Sequence, residues 1–368
     1  MTNSFFNKIS ILRLLLLVLF FNSSITLAGP SIAFVNPESQ DNAFWNSVSL
    51  FMQAAADDLG IDLEVVYGNG DRFESFKQAK QILVRESPPD YLLFVYQAST
   101  GKRILDIAEL KNVNTFIFNT DIHPRDVATV GKPREHYAYW LGHMHPNDYE
   151  AGKLLADTLI QHAKNNTKIS RPIEMLGISG GLDSTPAGRR NEGLDIAVSK
   201  DDEVRLNQIV HTDWSTAQAF EKTAILLDRY PNTSVIWGAS DSLAQAAIQA
   251  FKPGKEYITG GIDWTTKGLN SIKDGSLHAS VGGHFMEGAW SLVMLYDHAR
   301  GIDFNTDQRL NLTEMNVIDA SNVERYLDKI KAENYERINF SRFSKALNTE
   351  LKGYDFSLEA VFDSLSKD

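Results

Sequence analysis

Short apolar runs separated by amphipathic helical stretches recur twice along this chain, and that alternation restricts its fold more than any other feature. Ser31 to Val35 is a strand-type run, and from Ala43 to Leu59 the residues Phe44, Val48, Phe51, Met52, Ala55 and Leu59 recur at three- and four-residue spacing. Such spacing lines one buried face of a helix, and Gly60 supplies its stop. Further strand-type runs lie at 62–67, 91–96 and 115–118, with helical stretches at 73–85 and 102–110 between them. The pattern lapses into His, Pro, Arg and Gly between Asn119 and Tyr137 and resumes at Tyr139. From there helices at 147–163, 187–198, 216–228 and 241–251 alternate with strand-type runs at 173–178, 204–211, 234–237 and 257–261. Short strands joined by helices demand right-handed crossovers and parallel sheets covered on both faces. The expected fold class is therefore α/β, with two doubly wound parallel-sheet lobes joined by hinge crossovers.

Residues 1–28 stand apart. Lys8 and Arg13 precede an apolar run from Leu14 to Phe21, and Thr26-Leu27-Ala28 ends in small residues suited to a cut after Ala28. This is the three-part pattern of a secretory signal peptide, and the run is shorter than the about 20 apolar residues of a membrane span. A soluble product in the periplasm is expected. The segment holds two positive charges and no acidic ones, so the net charge of -11 becomes -13 once it is removed. So acidic a chain does not suit nucleic acid, which needs clustered Lys and Arg. The chain has no cysteine, which excludes disulfides, thiol catalysis, iron–sulfur sites and a lipid anchor on Cys. The expected division is a first lobe of residues 30–138 and 284–312 and a second of 139–283 and 313–368, the latter ending in a C-terminal extension. That extension carries aromatic residues near 340–347 and 356–365 that need burial, either bracing the second lobe or forming a partner surface.

Open parallel sheets place ligands outside the carboxyl ends of their strands, so the informative residues lie just after strands. Asn42-Ala43-Phe44-Trp45 follows the first of them, Gly180-Gly181 leads to Gly188-Arg189-Arg190-Asn191-Glu192-Gly193-Leu194, and Ala239-Ser240-Asp241 and Gly260-Gly261-Ile262-Asp263 come later. In this order the segments resemble the periplasmic binding proteins of the ribose-binding type, the family that includes the ligand-binding cores of LacI-type repressors. The long crossover and Trp264 beside Asp263 are similar to features of quorum-signal receptors in that family. Ser240 stands where the family pattern has Asn, and Gly283-His284 where it has Gln, so ribose itself does not fit. The resemblance covers the chain to about Leu312.

The resemblance implies a sugar-like ligand, which presents flat CH faces and a rim of hydroxyls. Phe44, Trp45, Trp214 and Trp264 are the candidate plates, while Asn42, Asn119, Asp121, Arg190, Ser240, Asp263 and His284 are the candidate polar contacts. Phe44 fits the buried helix stripe equally well, Arg190 and Asp263 could form a plain ion pair, and Asp241 reads as a helix cap. His136, His143 and His145 with Asp148 are competent zinc ligands without a second matched pair, so no metal is expected. Gly177-Ile178-Ser179-Gly180-Gly181 lacks dinucleotide-loop spacing, and no Ser/His/Asp set is ordered for nucleophilic attack. No catalytic residue and no cofactor are expected. The resulting reading is a monomeric periplasmic solute-binding protein that closes on a small polyhydroxylated ligand and presents it to a membrane permease, most simply an ABC-type importer. A sensor kinase or cyclase as partner is the alternative, and an exported hydrolase or metal-binding enzyme is the rival of another class.

Overall fold

These runs pair into two six-stranded sheets in the computed structural model, which describes residues 29–304 and 309–365. The expected signal segment lies outside the described residues. In the first sheet β1 (Ser31–Asn36) is flanked by β2 (Asp62–Tyr67) and β3 (Tyr91–Phe94), and beyond β3 come β4 (Asn114–Phe118), β5 (Trp140–Pro146) and β11 (Leu310–Thr313). The second repeats this order, with β6 (Ile173–Ser179) between β7 (Val204–His211) and β8 (Val235–Gly238), then β9 (Ile258–Asp263), β10 (Ala279–Gly282) and β12 (Asn316–Asp319). Only β12, paired with β10, runs antiparallel to its neighbour. The chain thus adopts the α/β architecture of two doubly wound sheets.

Helices α1 (Ala43–Leu59), α2 (Arg72–Leu83), α3 (Gly101–Lys111) and the short α4 (Val127–Val130) connect the strands of the first sheet. Helices α5 (Asp148–Asn165), α6 (Thr185–Val198), α7 (Thr216–Arg229), α8 (Asp241–Ile248) and α9 (Thr266–Lys273) do so in the second, and α10 (Glu287–Ala299) returns to the first. Strand order reverses between β2-β1 and β3, and again between β7-β6 and β8. At such a switch point adjacent loops leave on opposite faces and open a crevice. The loops after β1 and β6 start there, and they carry Asn42 to Trp45 and Gly180 to Arg190. Local chemistry fixes the first entry: the Asn42 side chain accepts from the Trp45 N–H to cap α1, and Gly60 at φ 66 ends the helix.

Two segments sit elsewhere than the sequence pattern placed them. The strand expected to open the second lobe at 139 is β5, which pairs with β4 and β11 in the first sheet. Its extended, mostly buried run continues past Gly142 to Pro146, so the chain crosses over only where Asn147 caps α5. The extension, expected on the second lobe, divides. Its β12 joins the second sheet, whereas Tyr335, Phe340, Phe343 and Val361 are buried in the apolar cluster of Phe51 from α1, Phe285 from the turn before α10 and Trp290 from α10. Asp297 of α10 anchors it by accepting from the Ser344 hydroxyl at 2.5 Å, the Lys345 and Ala346 N–H groups at 2.7 and 3.1 Å, and the Tyr354 hydroxyl at 2.9 Å.

Three crossings join the sheets, after β5, after β10 and between β11 and β12. They are tied together, since the Asn147 N–H donates to the Thr313 carbonyl at 2.9 Å and the Thr313 hydroxyl bonds the Glu287 carboxyl. No helix among the described residues is long and apolar enough to cross a membrane.

Candidate functional site

Loops from the carboxyl ends of both sheets enclose a cavity of about 440 Å³. Nine of the eleven residues expected in the site line it: Asn42, Phe44, Trp45 and Asn119 from the first sheet's side, Arg190, Trp214, Ser240 and Asp263 from the second, and His284 from the crossing after β10. Asp121 and Trp264 are not among the lining residues. Asp121 is exposed and its carboxylate accepts from the Ile122 N–H. Trp264 points into the apolar core, where its indole N–H donates to the Ser280 carbonyl at 3.0 Å and its ring stacks on Tyr326 at 6.0 Å. An apolar ring held by an internal hydrogen bond gains more from burial than from the cleft.

The aromatic walls are preset. Trp45 meets Phe44 edge-on at 5.2 Å and Phe118 at 6.4 Å, while Phe44 stacks on His284 at 4.6 Å. Phe44 therefore serves the packing stripe and the cavity wall together. Trp214, at φ 69, lays its indole on Gly180, where an added Cβ would come within 2.1 Å of the ring. Glycine is what lets the ring lie flat on the backbone there.

Arg190 organises the polar floor. Its Nε donates to Asp148 at 2.7 Å, Nη1 donates to the Ala239 carbonyl at 2.8 Å and lies 3.8 Å from Asp263, and Nη2 lies 3.3 Å from His284 Nε2. The sequence pointed to Asp263 as its partner; the nearer carboxylate is Asp148. Glycines bring the two together, because a Cβ on Gly152 of α5 would lie 2.1 Å from the Arg190 carbonyl oxygen and one on Gly193 of α6 would lie 2.1 Å from that of Tyr149. Burial pushes the Asp263 carboxyl up to about 7 against the pull of Arg190, and burial beside Arg190 pushes His284 down to about 3. His284 is thus neutral, and with Nε2 facing a guanidinium donor its Nδ1 carries the proton. That Nδ1 and the Asn119 Nδ2 are buried with no partner among the described residues.

Other contributors were not read from the sequence. Ser240 caps α8 by accepting from the Leu243 N–H, which leaves Asp241, expected as the cap, to accept from the Thr265 N–H and hydroxyl at 2.9 Å each and from Ser280 at 2.6 Å. Arg72 of α2 reaches Asp183 of the opposite loop at 2.5 Å, and both line the cavity. Glu38 lines it as well, its carboxyl raised by burial, with Asp213 of the second lobe adding to that rise. Contacts between loops of different lobes leave no local periodicity to find. Of the eight described non-glycine residues with positive φ, Asn119, Trp214 and Asp263 line the cavity and Trp264 stands behind it, and such strain persists only where packing over-determines it. His143, within β5, is buried, its Nε2 lies 2.8 Å from the Thr120 carbonyl, and burial pushes it down to about 4. No three His, Asp or Glu side chains among the described residues come together as a metal-binding group.

The chain matches the periplasmic binding protein domain over residues 32–303. A periplasmic sugar-binding protein from Pseudomonas fluorescens superposes with a TM-score of 0.80 at 29% identity, covering 90% of this chain and 99% of that one. The galactofuranose-binding protein YtfQ of Escherichia coli (strain K12) is 19% identical over 268 residues, 70% of this chain and 79% of its own length. The periplasmic component of the arabinose ABC transporter from Shewanella sp. ANA-3, bound to arabinofuranose, shares the fold with a TM-score of 0.69 at 18% identity, over 82% of this chain and 96% of that one.

Proposed function

This chain belongs to the periplasmic binding protein domain family, a family of ligand-binding proteins, and from that premise we propose that it closes two lobes on a small neutral sugar in the periplasm and passes it to an ABC-type permease. The observation that carries the reading is the charge balance of the cavity lining. Its two arginines are already matched, Arg72 by Asp183 and Arg190 by Asp148 and Asp263, so no lining guanidinium is left to neutralise an anionic ligand. Buried donors on Asn119 and His284, beside the Asp263 carboxylate, suit alternating hydroxyls that both accept and donate. Trp45 and Trp214, from opposite sides, supply apolar plates for the sugar's CH faces. Asn42, Phe44, Trp45, Asn119, Arg190, Trp214, Ser240, Asp263 and His284 are the proposed ligand contacts.

Native mass spectrometry of the purified protein, followed by calorimetry with D-galactose, L-arabinose, D-allose, myo-inositol and their acid and phosphate derivatives, tests this. A neutral sugar should bind and its charged derivative should not; tight binding of the phosphate alone would overturn the reading. Export with cleavage after Ala28 belongs to the same proposal. A retained Met1 on the protein from cells would count against it. Permease and ATPase genes beside this one are expected, whereas a sensor kinase gene in their place would move the partner from uptake to signalling.

A further inference from the structure

We infer that the C-terminal extension positions the Asp263 carboxylate for the ligand, through a stack of Tyr326 on Trp264. The inference rests on the reading of the cavity as the ligand site. Asp263 has φ 141 and Trp264 φ 61, two consecutive residues in a region that L side chains rarely adopt. These torsions set the direction in which the Asp263 carboxylate leaves the strand, 3.8 Å from Arg190 and 3.5 Å from His284. Something must hold them, because an unsupported backbone relaxes to negative φ.

Support reaches Trp264 on two fronts. On one, its N–H donates to the Ser280 hydroxyl at 3.2 Å and its indole N–H to the Ser280 carbonyl, while the ring lies so close to β10 that a Cβ on Gly282 would come within 2.5 Å of it. On the other lies the Tyr326 ring, inclined by 28° at 6.0 Å, which in turn meets Phe362 at 5.6 Å. Tyr326 belongs to α11 (Val323–Leu327), beyond the end of the family match at residue 303. Buried Val323, Leu327 and Ile330 share one apolar cluster with Leu269, Ile272 and Leu277 of the second lobe and with Phe51 and Trp290 of the first. The extension is therefore held from both lobes and presses its ring against the residue next to Asp263. Tyr326 is not among the residues that line the cavity and reaches Asp263 only through Trp264 in this argument, so it is a positioning residue.

Hydrogen exchange of the unliganded protein tests this without any sugar. The reporters are the Trp264 and Thr265 amides, which donate to the Ser280 hydroxyl and the Asp241 carboxylate. Tyr326→Leu keeps apolar bulk without a ring, and Tyr326→Phe keeps the ring. Exchange at both reporters is expected to quicken at least tenfold in the Leu variant and to stay at the wild-type rate in the Phe variant, with the amides of β6 unchanged in both. Unchanged reporters in the Leu variant, equal acceleration in the two variants, or equal acceleration throughout β6 would each overturn the inference. Titration with L-arabinose and D-galactose adds a separate arm: a sugar that binds the wild type should bind the Leu variant about fivefold more weakly and the Phe variant equally. If neither sugar binds the wild type, that bears on the ligand reading alone, and the exchange rates still decide the positioning.

Discussion

Arg190 cannot be removed without stranding its neighbours, because Asp148 and Asp263 are both buried against it. Breaking a buried pair by deleting one partner typically costs about 3–5 kcal/mol. Thermal and denaturant melts of Arg190→Ala should show a loss of that order together with lost ligand binding. Trp214→Ala should behave differently, weakening binding by roughly 1–3 kcal/mol while leaving the melt nearly unchanged, since the ring lies at the cavity wall. Asp263 adds a pH dependence. Burial raises its carboxyl from the ordinary 3.8 to about 7, so across that window the unfolded chain has released a proton that the folded chain still holds. Its contribution to stability is full in acid and is lost as pH rises through about 7. The melting temperature of the wild type should therefore fall more steeply across this window than that of Asp263→Asn, and parallel slopes would reject the assignment. Trp45, Arg190 and Asp263 could be found from the sequence because each follows a strand end that periodicity locates. Asp148 could not, because its role exists only once two helices touch.

Helices α5 and α6 make that contact backbone to backbone, through Gly152 and Gly193. A methyl group at 193 would meet the Tyr149 carbonyl at 2.1 Å, so Gly193→Ala must push the helices apart and carry Arg190 away from Asp148. Overpacking of this kind costs typically about 1–3 kcal/mol, and ligand affinity should fall with it. Gly188 lies in the same helix with nothing within 4 Å of an added Cβ, and Gly188→Ala should leave both unchanged or raise stability slightly. Calorimetry and melting of the two variants together check the argument. Strands and helices that alternate in type were readable from their periods. The failures share a cause: β5 is buried on nearly all of its length, so its continuation past Gly142 carries no alternation, and the extension folds as short turns whose burial depends on Phe51 and Trp290 nearly 300 and 50 residues away from Phe340.

Arg72 and Asp183 join the two lobes at the mouth of the cavity, and such a contact can exist only when the lobes are together. Partly exposed pairs contribute about 0.2–1 kcal/mol, so Asp183→Asn should quicken ligand release by up to about fivefold, less at high salt. The double reversal Arg72→Asp with Asp183→Arg should restore part of the loss; stopped-flow release rates with no recovery would assign the two residues to the ligand instead. The order of the chain has its own consequence. The first sheet is completed by β11, and the cluster around Phe51 and Trp290 by Phe340 and Phe343, all encoded at the far end of the gene. While the polypeptide is being made, α1 therefore lacks part of its docking surface until Phe340 and Phe343 have been added. A thread that stays loose until its late aromatics arrive is the form in which a protein can be passed through a narrow translocation pore, so this order of the chain suits the export proposed above.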